Sequence, residues 1–522
     1  MHVRVALWLG LALTGATAAH AQGDARATLP AGGAGAPAAA QPAAGGGGIT
    51  TTFAWRSRAE SWRWFGAATE PVADGRYDYL GTIVRGGIGG RRPGLAWTLE
   101  GAVPILLGLP DDAIAGAPRG QLGLGATYFA ANDRSRNVVR AFVKQAYVRL
   151  GAAAGAGGHA VRLGRFEFAE GAELAPADPT IATLKSSRIA QRLVGPFGWT
   201  HVGRAFDGVH YTHDRRARPN GPGAANVTLA AFAPTPGAFE ADGWRTLPIY
   251  VGYGAYTRGV RWGAGPRAAQ SDLRVFALHY DDQRDPRRFT PGLPGASLPA
   301  TQRPTGDQRV RVTTYGGHVV HVVPTAAGPV DLLAWGALQT GRWGALDHAA
   351  NANALEAGWQ PAGVPGRPWV RAMWFHGSGD ANAADGEHGT FFEVLPTPRP
   401  FARFPIHNLM NLEQASGSLV LRPHARVTLR ADHNVLRLAE TADLWYLGGG
   451  AFERESFGYA GRPSQGRRRF ATLTDLSADA RLTPRLALNG YVARAGARDV
   501  VRAIYPGTGP AYFGYVELEF RR

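Results

Sequence analysis

Counted back from the C-terminus, the connections between strand-like segments of this chain alternate between long and short. Residues 496–510 form a long connection, 482–485 a tight one, 439–469 a long one and 422–425 a tight one. The pattern continues through a long 379–410, then short connections at 361–368 and 324–328. One short connection, 343–347, falls on the long side. The segments between are about 8–13 residues long, enough to cross a bilayer when tilted. They read as 50–62, 77–88, 95–104, 139–150, 159–168, 200–212, 225–234, 249–258, 272–281, 309–322, 330–342, 348–360, 369–378, 411–421, 426–438, 470–481, 486–496 and 511–520. A soluble sandwich has no reason to alternate its loops so regularly. A single-chain membrane barrel does, with an even strand number, short turns at one end and longer loops at the other. A further candidate at 121–130 would make the count odd, and placing it inside a long loop from 105 to 138 restores the alternation.

The faces agree. In the last segment Tyr512, Gly514, Val516, Leu518 and Phe520 share one side, while Phe513, Tyr515, Glu517, Glu519 and Arg521 share the other. Val427, Leu429 and Ala431 oppose Arg426, Thr428, Arg430, Asp432 and Asn434; Phe53 and Trp55 oppose Arg56, Arg58 and Glu60. An Arg or Lys facing hydrocarbon at the midplane costs ~2–4 kcal/mol, so the charged faces belong to the lumen. Trp62, Trp64, Tyr77, Tyr79, Trp199, Trp369, Trp374 and Tyr512 stand near segment ends and are expected in interfacial girdles. The predicted fold is all-β: a transmembrane antiparallel β-barrel of about eighteen strands, of the bacterial outer-membrane type, over residues 49–522.

The N-terminus fits export. Arg4 precedes an apolar run over 5–17, and Ala19-His20-Ala21 is a small-x-small cleavage site, so 1–21 reads as a signal peptide. Residues 22–48 are rich in Ala, Gly and Pro and read as a disordered linker. No later stretch gives ~18 uninterrupted apolar residues, which excludes a transmembrane helix but not a barrel. There is no cysteine, hence no disulfide. The formal net charge is +16, and Lys144 and Lys185 are the only lysines, so nearly all the positive charge is arginine. Codon bias in a GC-rich genome accounts for part of this; a surface that attracts polyanions, with planar forks suited to carboxylates, accounts for the rest. Nucleic acid is not an expected partner of an exported chain without a binding motif.

Several stretches together resemble the alginate-export family of outer-membrane barrels: "VKQAYVRL" followed by "VRLGRFEF", then "GRAFDGVHY", "LEAGWQ" leading into "WVRAMWFHGSGD", "FPIHNLMNL" and "TDLSADARLTPRLALNGYVARA". The resemblance runs from about residue 50 to the end. It implies a monomeric eighteen-stranded barrel in the bacterial outer membrane whose basic lumen passes an anionic uronate polymer outward. It also implies contact with outer-membrane lipid and, for secretion, periplasmic partners. A general anion-selective porin for small acidic solutes, or for oligosaccharide uptake, is the competing function. An enzyme is not expected, since no serine–histidine pairing is readable, and no cofactor is implied.

Candidate solute-binding residues follow from parity and motif. Arg85, Arg149, Arg162, Arg371 and Arg430 fall on the non-lipid parity of their strands. Arg165 belongs to the "LGRFEF" motif, and Arg192 lies in the following loop. Such groups can pair bidentately with uronate carboxylates, or with lumen acids such as Glu100, Asp432, Asp475 and Glu517 and so only hold the barrel's shape. The pairs His210–His213 and His318–His321 cannot chelate, because i and i+3 on a strand point to opposite faces. Asp380, Asn382 and Asp385 in "DANAADGEH" faintly resemble an oxygen-ligand calcium loop. Their spacing departs from that pattern, and a solvated acidic loop with no metal is the expectation.

Overall fold

The computed structural model describes residues 48–66, 73–116, 118–152, 157–217, 223–265, 267–284, 309–397, 403–448, 461–506 and 509–522. The predicted signal peptide and all but the last residue of the predicted linker lie outside them.

Among the described residues, eighteen long strands close into one antiparallel sheet. In chain order they are β1 (Ile49–Arg63), β2 (Arg76–Arg92), β3 (Leu95–Leu107), β4 (Phe142–Gly151), β5 (Gly158–Phe166) and β6 (Phe206–Arg215). Next come β7 (Ala225–Pro234), β8 (Ile249–Trp262), β9 (Ala269–Asp282), β10 (Val310–Val323), β11 (Val330–Trp343) and β12 (Leu346–Trp359). The last six are β13 (Trp369–Gly377), β14 (Leu412–His424), β15 (Val427–Arg437), β16 (Arg469–Arg481), β17 (Leu486–Ala497) and β18 (Ala511–Arg521). Each pairs with its sequence neighbours, and β1 also pairs with β18, with Trp55 opposite Phe520 and Arg58 opposite Glu517. That last pairing removes the sheet's edges.

Every predicted strand is present. The largest boundary difference is β6, which begins at Phe206 and not at 200. Residues 200–205 are bent back instead: Arg204 N–H donates to Pro196 O at 2.6 Å, and Ala205 N–H to the Thr235 hydroxyl at 3.0 Å. The discarded candidate at 121–130 is a helix, Leu124–Ala131, inside the long β3–β4 connection. The short connection on the long-loop side is a two-residue hairpin at Gly344 and Ala345, with Gly344 at φ 61°. A neighbouring loop covers it, Glu387–His388 pairing in parallel with Asp347 and His348.

The outer wall is apolar. Leu99, Leu229, Val275, Leu338, Leu355, Leu476 and Val492 are exposed there, Leu338 by 66 %. In water this belt would be a large unburied apolar surface; in hydrocarbon it is solvated. No helix of the described residues is long and apolar enough to span a membrane.

The packed core sits inside the barrel at the long-loop end. This corrects the girdle expectation. Trp62, Trp64, Tyr79 and Trp199 are buried there, and Trp62 stacks on Phe513 with ring centroids 4.0 Å apart, while Trp369 is buried inside the barrel at the short-turn end. Tyr77 is partly buried against the same cluster. Only Trp374 and Tyr512 of the predicted set are exposed on the outside, where Tyr250, Trp262, Tyr315 and Trp359 join them.

Candidate functional site

The connection 167–205 between β5 and β6 does not project outward. It turns into the barrel and forms a plug, in which Leu193, Val194 and Phe197 are fully buried. Inside it, a short helix (Pro179–Leu184) is capped by the Asp178 carboxylate, which accepts from Ile181 N–H at 2.9 Å. Backbone bonds knit the plug to the β13–β14 loop: Gly195 N–H donates to Leu395 O at 2.9 Å, and Leu395 N–H to Leu193 O at 2.8 Å. Wall arginines grip its backbone too. Arg56 donates to the carbonyls of Gly198 and Thr200, and Arg58 to that of Trp199. Gly81 on β2 provides a notch for His201: a Cβ there would overlap the imidazole ring. That ring is fully buried, and burial together with Arg58 and Arg56 holds its pKa far below the ordinary histidine value.

Charged side chains complete the attachment. Glu167 Oε1 and Oε2 take Arg85 in a fork at 3.3 and 3.1 Å, and Glu167 also lies 3.4 Å from Lys144. Arg274 on β9 pairs with Glu170 at 2.6 Å and with Glu173 at 3.3 Å. In the other sense, plug Lys185 meets wall Asp272 at 3.0 Å and plug Arg188 meets wall Glu356 at 3.0 Å. Burial alone would raise the Glu167 carboxyl, but Arg85 and Lys144 hold it below the usual range. For Glu173, burial likewise pushes up and Arg274 prevails downward, whereas for Glu170 burial wins and the pKa is raised.

One buried carboxyl in the supporting loop lacks such a partner. Burial pushes Glu393 up to about 8, and one of its oxygens accepts from Leu409 N–H at 3.0 Å. Its folded pKa exceeds the unfolded value, so the folded loop binds the proton more tightly. Docking of segment 390–397 is therefore favoured most below about pH 4.5, weakens as pH rises toward 8 and is flat above that. Amide exchange in 390–397, corrected for its intrinsic pH dependence, should accelerate across that window in the native protein. In Glu393→Gln it should not.

Below the plug lies a cavity of about 1750 Å³. Its roof is plug residues, including Glu167, Glu173 and Arg188; its floor opens among the short turns. None of its described lining residues comes from 108–141, 235–248 or 438–468 at the long-loop end. Among its described lining residues are sixteen arginines and one lysine against nine carboxylates, an excess of eight positive charges. The distribution is uneven. Near the plug the cations are paired: Arg58 with Glu517 at 2.6 Å, Arg371 with Glu356 at 2.9 Å and with Asp331, and Arg430 with Asp432 at 2.6 Å. At the short-turn end Arg149, Arg367, Arg422, Arg426, Arg481 and Arg485 have no carboxylate partner among the described residues. The eight short connections contain no aspartate or glutamate at all.

The seven predicted arginines therefore divide. Arg85, Arg371 and Arg430 are in the lumen and engaged with carboxylates. Arg149 and Arg162 line the open cavity as register neighbours, and Arg162 stands 3.0 Å from His210 Nδ1 and over the Phe166 ring. One placement is corrected: Arg165 has the parity of outward-facing Leu163 and forks onto Asp207 at 2.6 and 2.7 Å outside the lumen, near the long-loop rim. Arg192 lies in the loop after that strand, as expected; the loop is the plug, and the side chain is buried there, stacked on Trp335. In the loop candidate, the Asp380, Asn382 and Asp385 side chains accept from backbone N–H groups two residues on, forming local turns. His210 faces the lumen, while His213 stacks on His159 outside it, as the parity argument requires. Sequence reasoning missed Arg274, Lys144 and the plug glutamates. The every-third-residue spacing of Glu167, Glu170 and Glu173 was the available signal.

A family model described as alginate export matches residues 111–502. This chain belongs to that family. No curated protein sequence matches it. In fold it is similar to outer-membrane porins: a BenF-like porin from Pseudomonas fluorescens Pf-5 (TM-score 0.52, 9 % identity) and Pseudomonas aeruginosa OccK9 (OpdG; 0.52, 10 %), each covering 91 % of this chain and 98 % of the other. Pseudomonas aeruginosa OpdK, solved with vanillate, is similar at TM-score 0.51 and 8 % identity, covering 90 % and 98 %. This alginate export family member is an outer-membrane channel of bacteria. By the rule for such barrels, its long loops are extracellular and its short turns, with the unpaired arginines, periplasmic.

Proposed function

We propose that this channel conducts an anionic, uronate-type polysaccharide from the periplasm outward. The observation that carries the reading is the excess of cations around the periplasmic cavity, concentrated in arginines with no carboxylate partner among the described residues. Such a mouth raises the local concentration of polyanions, and arginine forks match carboxylates along a chain. Family membership supports the polymer; the uneven charge supports entry from the periplasmic side. A second reading, a porin for small acidic solutes, draws on the plug, which fills the extracellular half of the bore. Release from proteoliposomes separates them. Polyuronate oligomers loaded inside should escape through channels whose periplasmic mouths face the lumen, while neutral glucan oligomers of equal length stay. Retention of polyuronate alongside rapid loss of small monocarboxylates would replace the first reading by the second.

A further inference from the structure

The plug is held by the chemistry that the proposed solute would present. Arg85 receives Glu167 through two nitrogens and two oxygens, the end-on fork by which arginine recognises a free carboxylate. Lys144 adds a second cation to that carboxylate. Arg274 takes Glu170 and Glu173 together, with the Tyr253 hydroxyl donating to Glu173. The three acids sit at every third position of one stretch, so a single strand of chain carries carboxylates to two wall sites. Glu167 and Glu173 also line the cavity roof, where a solute entering from the periplasm meets them.

We propose that Arg85 with Lys144, and Arg274, are two latent carboxylate-binding sites which the plug's own glutamates occupy in the closed channel, and from which a polymer's carboxylates displace them. The inference rests on the polyanion reading. Its energetic basis is exchange. Pulling a buried carboxylate off its arginine with nothing in return leaves two uncompensated charges in a site shielded from water. Replacing it by another carboxylate leaves the arginine's charge and hydrogen bonds satisfied throughout. A neutral sugar offers no such exchange and leaves the plug docked. Arg85 keeps its second partner, Glu100 at 2.6 Å, so the wall site stays oriented while its occupant changes.

Single-channel recording in planar bilayers tests this, with soluble polyuronate or neutral glucan of equal length added on the periplasmic side. Polyuronate should raise the open probability of the native channel, and glucan should not. The Glu167→Gln/Glu170→Gln/Glu173→Gln variant should open without polymer, roughly tenfold more often or better, and polyuronate should add nothing. The single change Glu167→Gln, which leaves both Arg274 partners in place, should move the same way to a smaller extent. Gly81→Leu expels His201 sterically and touches no charge; it should open the channel yet keep its response to polyuronate. A triple variant that responds like the native channel overturns the proposal. Polyuronate that only blocks native current overturns it while leaving the conduit reading intact. Polyuronate without effect on any form overturns both.

Discussion

At 0.1 M salt the channel should be anion-selective, with reversal potentials in a potassium chloride gradient set mainly by chloride. The described lining of the cavity has seventeen cationic side chains against nine carboxylates, and arginine keeps its charge at any physiological pH. The Debye length is ~10 Å at 0.1 M and ~3 Å at 1 M. Selectivity should therefore fall toward unity at high salt. The residues that set it are those whose field no acid cancels. Replacing Arg149, Arg422, Arg426 and Arg485 with glutamine should abolish most of the preference while barrel stability stays the same, because none has a carboxylate partner among the described residues. Replacing Arg371 is a poorer probe, since it takes the cationic partner from buried Asp331 and leaves Glu356 with Arg188 alone. A cation-selective native pore would place the functional charge elsewhere.

Replacing residues 169–201 by a short glycine–serine linker should convert rare, small events into sustained porin-scale current steps. An eighteen-stranded barrel without its plug is wide enough to hold a water-filled bore. The deletion removes Phe197 and Trp199, which fill the upper lumen, and the Lys185 and Arg188 pairs that fasten the plug to the far wall. The strands keep their own ladders, so heat-modifiable migration on gels should persist. Unchanged conductance in a folded barrel would mean that other extracellular loops form the seal.

Much of the fold was legible because lipid enforces the period of two. Each strand must present an apolar face outward, and the sequence shows it from β1 to β18. The misplacement of Arg165 came from setting a motif above that period, since alternation alone puts it beside Leu163 on the outer face. That a long loop folds into so wide a lumen was expected; which of the long loops forms the plug was not legible, for the opposite reason. A segment inside the bore, packed on all sides, needs no regular alternation, and its position is decided by partners far away in the chain, such as Glu170 with Arg274 or Arg188 with Glu356. Trp62 and Trp64 were misassigned for the same cause: an aromatic at a strand end can face a membrane interface or a loop folded inward, and only the loop settles which.

The stitching of the plug to segment 390–397 has a consequence for how the channel behaves in time. Ladder bonds between Leu193, Gly195 and Leu395, the Phe197 N–H donated to the Thr397 hydroxyl and ion pairs on opposite walls all depend on one placement of one segment. Losing any of them shifts the others off their partners, so half-withdrawn positions keep few bonds while still excluding water. Packed, interlocked contacts of this kind have discrete arrangements and not a continuum. Current records should accordingly jump between two levels with exponentially distributed dwell times, as in an all-or-none transition, and a stronger ligand should lengthen the open dwells without creating new levels.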